Sequence, residues 1–456
     1  MTTLSRQPLL AIITIAWLGI SSLSVNADHN WRASRDIPPY FVDTTKLPFT
    51  ALPDLPARQL WGVIRGAGYR IEVPDAWNGD LVMWAHGFRG DGLELTVDNH
   101  PLRAWLLANG FAWAASSFSR NNYEVGQAAL DSHRLRLAFR RLVAKPHRVY
   151  MSGASMGGHI TGVVIERWPW RYNGALSICG VMGDLDLFDY FFDFSLVAQS
   201  LADIEAEFPP PADYATAVIP EIRAQLELFP DSFPFTLNQA GESLKQATRF
   251  LTGGARPTFD QGFIFWNGVN RDFVLGLADG DGTPEDSRRV VVDTTDSIYQ
   301  LDGDPSLSPE EQRLNDSVLR IEDEGRKKYQ RGLRLRSIPK IRGNIRMPVL
   351  SLHTLGDLFV PFHMQQIYAR RVARYGRSHL LVQRAIRDFG HCTFTPEELS
   401  RGMSDLVDWV EHGSRPAGDN ILDPQIVADP DFGCRFTEGS HDYDFPLTIP
   451  ACSGGQ

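Results

Sequence analysis

A serine set between two glycines, in Gly153-Ala154-Ser155-Met156-Gly157, is the strongest chemical signal in this sequence. A serine hydroxyl is a poor nucleophile at neutral pH until a base removes its proton as it attacks. The usual base is a histidine whose second ring nitrogen is held by a carboxylate, which fixes the tautomer and stabilises the imidazolium. For the base the chain offers His86, His159, His353 and His391; for the acid it offers Asp184, Asp186, Asp357 and Asp388. Such a set performs acyl transfer from an ester or an amide.

The elements that must position these groups are legible around them. Val149-Tyr150-Met151 is an apolar run ahead of the serine, and Met156 to Arg167 has helical character behind it. A strand, a sharp turn and a helix leave the serine exposed at the end of a sheet, and only very small residues fit at the two glycine positions. Strands are expected over Leu60–Val73, Leu81–Ala85, Phe111–Ala115, Gly174–Ile178, Pro348–His353 and from Leu380 to Gln383. Helices are expected over Leu102–Ala108, Asp131–Val143 and Pro396–His412. Alternating strands and helices give a mostly parallel sheet wound on both faces.

Three further segments stand in a telling order. Leu81–Ala85 runs into His86-Gly87-Phe88, Pro348–His353 into Thr354-Leu355-Gly356-Asp357, and the last strand is followed by Phe389-Gly390-His391-Cys392. Serine, then acid, then histidine is the order of the α/β-hydrolases. The chain resembles the serine-hydrolase branch of that superfamily, carboxylesterases and lipases with a large inserted cap, over most of residues 60–180 and 345–413. The resemblance implies Ser155 as nucleophile, Asp357 as acid and His391 as base. It implies an oxyanion hole made by the backbone N–H of Met156 and of Phe88, with His86 in the oxyanion loop. Asp184 and Asp186 occupy a position where some lipases of this fold keep the acid. Asp388 reads as a turn residue beside His391, His159 as a helix residue and His353 as strand-end packing. Tyr123, in the loop after the Phe111 strand, is a candidate for lining the substrate pocket beside His86, or else a structural loop residue.

Residues 181–344 stand where the bare fold needs one helix, far beyond an ordinary loop. Phe188, Tyr190, Phe191, Phe192, Phe194, Phe263, Phe265 and Trp266 make the segment too apolar for a linker, and Pro220–Leu228 and Pro309–Tyr329 read as helices. A mainly helical cap over the active site is expected. The core is then 28–180 and 345–413, followed by a tail, 414–456. Asp279-Gly280-Asp281-Gly282 and Asp302-Gly303-Asp304 are turn chemistry and lack the ligand ladder of a calcium loop. Gly66-Ala67-Gly68 lacks the third glycine of a dinucleotide site. Neither a metal nor a cofactor is implied.

A net charge of −10, from 45 basic and 55 acidic side chains without a long basic run, argues against nucleic acid as partner. Residues 1–27 read as a cleavable leader: Arg6, an apolar run over Leu9–Leu18, and Val25-Asn26-Ala27 before the cut. The apolar run falls short of the ~20 residues that span a bilayer, so export to the periplasm or medium is expected, without a stable membrane span. Export permits disulfides among the four cysteines. Cys434–Cys452 would pin the tail. Cys179–Cys392 would hold the histidine loop, or the two stay separate buried thiols.

The expected function is hydrolysis of a small-molecule or polymeric ester through an acyl-enzyme, with an apolar or aromatic acyl group under the cap. An amidase, peptidase or acyltransferase would use the same triad. A binding protein on the same fold would typically have lost the serine or the histidine, and both are present.

Overall fold

Eight segments pair into one sheet in the order β1-β2-β4-β3-β5-β6-β7-β8. They are β1 (Ala57–Ile64), β2 (Ala67–Pro74), β3 (Leu81–Ala85), β4 (Ala112–Ser116), β5 (Val149–Ala154), β6 (Gly174–Ile178), β7 (Val349–Thr354) and β8 (Leu381–Ile386). The coordinates are a computed structural model and describe residues 39–228, 236–280, 290–326, 338–441, 443 and 447–453, all within the unit Pro38–Gln456. The expected leader, 1–27, lies outside the described residues, as do Asp281 and Gly282.

Gly66 makes the first turn of the sheet. With φ +86° it occupies backbone space that favours glycine, so β1 and β2 form an antiparallel hairpin. β2 is antiparallel to β4, and every later pairing, from β4–β3 to β7–β8, is parallel. Parallel strands are covered on both faces and therefore read as continuous apolar runs. All five residues of β3 are buried, and its alternate side chains serve two cores. Met83, with Met151 and Ala175, packs under α2 (Val125–Leu142) and α3 (Met156–Arg167). Val82 and Trp84, with Tyr150 and Leu176, pack under α1 (Arg103–Ala108) and, near the other edge, a later helix over Pro396–His412. The expected mostly parallel, doubly wound sheet is the fold of this chain. α2 starts six residues before the expected Asp131, because Val125, Ala128 and Ala129 also face the core.

Between β6 and β7 the chain forms an insert of helices: α4 (Asp186–Leu201), α5 (Ile219–Gln225), α6 (Gln239–Leu251), α7 (Phe259–Ile264), α8 (Phe273–Gly276) and α9 (Pro309–Ser317). Ser308 and Glu311 start α9 with reciprocal caps. The helix stops at Ser317 instead of continuing toward Tyr329. Val318 is extended there, Ile321 and Thr294 exchange hydrogen bonds of 2.8 and 2.9 Å, and the Arg320 guanidinium binds the carbonyls of Thr294, Ser297 and Asn315. Tertiary partners thus take the polar groups that a longer helix would have used. Residues 327–337 lie outside the described residues.

After β7, α10 (His363–Arg374) returns beneath the sheet, and α11 (Pro396–His412) follows β8. Among the described residues no helix is long and apolar enough to cross a membrane.

Candidate active site

Ser155 sits at the tip of β5 with φ +58° and ψ −124°, a conformation that L-residues rarely adopt. The flanking glycines explain how the turn exists. A Cβ on Gly153 would lie 2.2 Å from the carbonyl oxygen of Gly157, and one on Gly157 would lie 2.0 Å from that of Ala85. Neither position has room for a methyl group. Met156 opens α3, so its amide is among those that no carbonyl of the helix accepts. Gly87 approaches closely from the end of β3: a Cβ there would stand 3.1 Å from that of Ser155.

His391 lies 236 residues further along the chain. Its Nε2 is 2.9 Å from Ser155 Oγ, and its Nδ1 is 2.6 Å from Asp357 Oδ2. These partners assign the tautomer: Nδ1–H donates to the carboxylate, and Nε2 accepts from the serine hydroxyl. Asp357 is fully buried at the end of β7, and its other oxygen accepts the backbone N–H groups of Phe359 and Val360 at 2.9 and 3.0 Å. Three residues named from the sequence therefore form one hydrogen-bonded chain.

The rival acids are committed elsewhere. Asp184 accepts from Arg371 at 2.5 Å and from the Ile341 amide at 3.0 Å, and Asp186 is bound by Arg371 and Arg326. The rival histidines are structural. His353 donates from Nε2 to the Val360 carbonyl at 2.7 Å, while His159 donates from Nε2 to Pro339 O at 2.8 Å. Tyr123 gives its hydroxyl to His159 Nδ1 at 3.3 Å and packs edge-on against Phe188. His86 is buried and stacked on Phe118; burial, with Arg89 nearby, pulls its pKa down to about 4. Tyr123 thus has protein partners, whereas His86 Nε2 is buried without a hydrogen-bond partner among the described residues. The Phe88 ring is 46% exposed.

The loop carrying His391 is held by groups that sequence reasoning missed. Asp388, read as a turn residue, accepts the amides of Phe389 and Gly390 in its own loop; fully buried, it also accepts from Thr393 Oγ1, Tyr443 OH and His441 Nδ1 at 2.5, 2.5 and 2.9 Å. His441 reaches on to Glu398 at 2.9 Å. Burial opposes a charge on His441, but its bonds to Asp388 and Glu398 prevail and raise its pKa to about 10. Arg387, next in the chain, gathers the carbonyls of Pro430, Phe432 and Pro450. The tail thus packs on the histidine loop through two adjacent residues. The one available signal was that Arg387-Asp388 is a charged pair between an apolar strand and an apolar turn.

Both expected disulfides are present. Cys434–Cys452 closes the tail, and Cys179–Cys392, with Cα atoms 5.3 Å apart, ties the end of β6 to the residue after His391. Cys179, His391 and Cys392 are the one grouping among the described residues with metal-ligand proximity. Both sulfurs are consumed in the bridge, so the thiolates a metal would need are missing.

The aromatic residues that suggested an acyl pocket mostly build the insert's own core: Tyr190, Phe194 and Phe263 are at most 2% exposed. Among the described residues one ring packs on His391, and it belongs to the turn after β7, not to the insert. Phe359 packs edge-on to His391 at 5.0 Å and contacts Phe191, Phe273 and Trp266 of the insert. A cleft of about 460 Å³ lined by Asp186, Asp189, Asp193, Lys340 and His363 lies between the insert and α10, and no triad residue lines it.

A curated relative, an o-phthalyl amidase of Xanthobacter agilis, is 21% identical over 403 residues, covering 77% of this chain and 87% of its own. No protein-family model matches the chain. Among solved structures, feruloyl esterase B of Aspergillus oryzae aligns with TM-score 0.42 at 12% identity, over 84% of this chain and 86% of that one. Acylaminoacyl peptidase of Pyrococcus horikoshii aligns with TM-score 0.40 at 11% identity, over 80% of this chain and 43% of that one.

Proposed function

We propose that this α/β-hydrolase is an exported serine hydrolase that cleaves carboxylic esters through an acyl-enzyme on Ser155. The observation that carries the reading is the position of the His391 ring, 2.9 Å from the Ser155 hydroxyl and 2.6 Å from the Asp357 carboxylate. As Ser155 Oγ attacks the substrate carbonyl, His391 Nε2 takes its proton. Asp357 holds Nδ1–H and balances the imidazolium. The carbonyl oxygen becomes an oxyanion, for which the amides of Met156 and Phe88 are the assigned donors; losing one such donor typically costs roughly 10²–10³ in rate. His391 then returns the proton to the leaving alkoxide. Water, activated by the same ring, attacks the acyl-serine, releases the acid and restores Ser155.

The Phe359 ring beside His391, backed by the insert's aromatics, favours an apolar or aromatic group on the substrate. A second reading, amide hydrolysis, is favoured by the relative described as an o-phthalyl amidase. It needs the same residues, with His391 protonating a poorer leaving group. Export is supported by the leader read in residues 1–27 and by two disulfides, which persist in oxidising compartments. Assay of chromogenic esters of rising acyl length, beside aryl esters and matching anilides, tests both readings. Turnover of esters with anilides inert supports the first, anilide turnover at comparable rates supports the second, and inertness toward both overturns the serine-hydrolase reading.

A further inference from the structure

Arg256 enters the neighbourhood of the triad from the insert, on the loop between α6 and α7. It is 7% exposed, and its hydrogen-bond partners are all neutral. Nε donates to Leu355 O at 2.6 Å, Nη1 to Gly254 O at 2.8 Å and Nη2 to Thr252 Oγ1 at 3.1 Å. The Phe259 ring lies 5.0 Å from the guanidinium. Among the described residues no carboxylate pairs with it, although a buried cation without a counter-ion is costly. Leu355 is two residues before Asp357, so the guanidinium grips the backbone of the turn that carries the acid. The other titratable or charged groups around it are Tyr190 on α4, Arg249 on α6, Asp260 on α7, His353 on β7 and His363 on α10.

The contact belongs to a wider hold on the acid turn. Tyr190 OH donates to Leu358 O at 3.0 Å, and a Cβ on Gly262 would stand 2.1 Å from the Gly356 carbonyl oxygen. Arg256 is the member of this set that brings charge.

We propose that Arg256 is a positioning residue for the acid: its fork fixes the Leu355–Asp357 turn and brings a positive charge to it, keeping the Asp357 carboxylate aligned on His391. This rests on the serine-hydrolase reading above. The guanidinium acts through Asp357 and touches no reacting atom. A purely structural arginine would lower stability when replaced and leave the titration of the site alone.

The test is the rate of fluorophosphonate labelling at Ser155 across pH, in the intact chain, with thermal unfolding measured beside it. Wild type, Arg256→Gln and Arg256→Lys are compared. Glutamine keeps a donor but loses the charge. Removing a nearby cation favours the protonated imidazole, so the half-maximal pH of Arg256→Gln should move up by about half a unit or more, and its plateau rate should fall roughly tenfold. Lysine keeps the charge but cannot span three acceptors, so its half-maximal pH should stay while its plateau falls about fivefold. An Arg256→Gln half-maximal pH equal to wild type, with only the unfolding temperature lowered, overturns the proposal. If Arg256→Gln does not fold, Arg256→Lys decides: a plateau within about twofold of wild type overturns it. A wild type that is not labelled at Ser155 removes the serine-hydrolase reading and this proposal with it.

Discussion

Trp266 of the insert donates its indole N–H to the carbonyl of Phe389 at 2.9 Å, two residues before His391. Thr258 donates to the neighbouring carbonyl, that of Asp388, at 3.1 Å. A segment expected only to roof the site is thus also bonded to the loop that carries the proposed base. Trp266→Phe keeps an aromatic ring and removes the donor. It should lower stability by about 1 kcal/mol and turnover several-fold, read by thermal unfolding and ester hydrolysis. Unchanged turnover would mean that this bond does not align His391.

The proposed nucleophile is tested by replacement. Ser155→Ala should abolish covalent labelling and lower ester turnover by roughly 10⁴-fold or more, with the unfolding transition retained. Persistent labelling would move the nucleophile to another residue.

The turn around Ser155 is tested by one methyl group. A Cβ at position 157 would meet the Ala85 carbonyl oxygen at 2.0 Å, and backbone on both sides leaves nothing flexible to yield. Gly157→Ala should cost about 1–3 kcal/mol or more and remove activity. A folded, fully active Gly157→Ala enzyme would contradict this packing.

The Cys179–Cys392 bridge closes 213 residues of chain and ends beside His391. Replacing both cysteines by serine should lower stability by about 2–4 kcal/mol and reduce activity more than the matching change at Cys434 and Cys452. Equal effects on activity would deny the histidine loop any special dependence on its bridge.

His441 gives a stability prediction with a definite sign. Its pKa is raised from 6.5 to about 10 by Asp388 and Glu398, in spite of burial. Folding therefore favours the protonated ring. The stabilisation is fully present below about pH 6.5, declines as pH rises and is lost above about 10. Unfolding temperature followed from pH 6 to 10 should fall for wild type and be flatter for His441→Gln. Parallel profiles would show that this ring does not carry the dependence.

Much of the site was legible because its markers are local. Small residues around a serine, a histidine after the last strand and an aspartate at a strand tip each sit within a few residues of a recognisable apolar run. The insert was legible as a length and not as an architecture. Its aromatics signalled burial, yet sequence gives no period that separates Trp266, which bonds to the histidine loop, from Phe194, which lies deep in the insert. Asp388 was legible as a turn residue and not as a buried anchor, for a related reason. Its partners His441 and Tyr443 lie more than fifty residues on, in a tail without periodicity. Arg256 carried no sequence signal, since its acceptors are backbone carbonyls and one threonine.

β6 and β7 are paired neighbours although residues 179–348 intervene. Until β7 arrives, the strand Gly174–Ile178 presents unsatisfied amides and carbonyls along a wholly buried, apolar segment. A nascent or clipped chain that ends before Pro348 is therefore adhesive, because a bare strand of this kind templates association with other chains. Fragments of this protein made without their last hundred residues or so should form aggregates, and production depends on the whole chain being delivered before it is left to fold unaided.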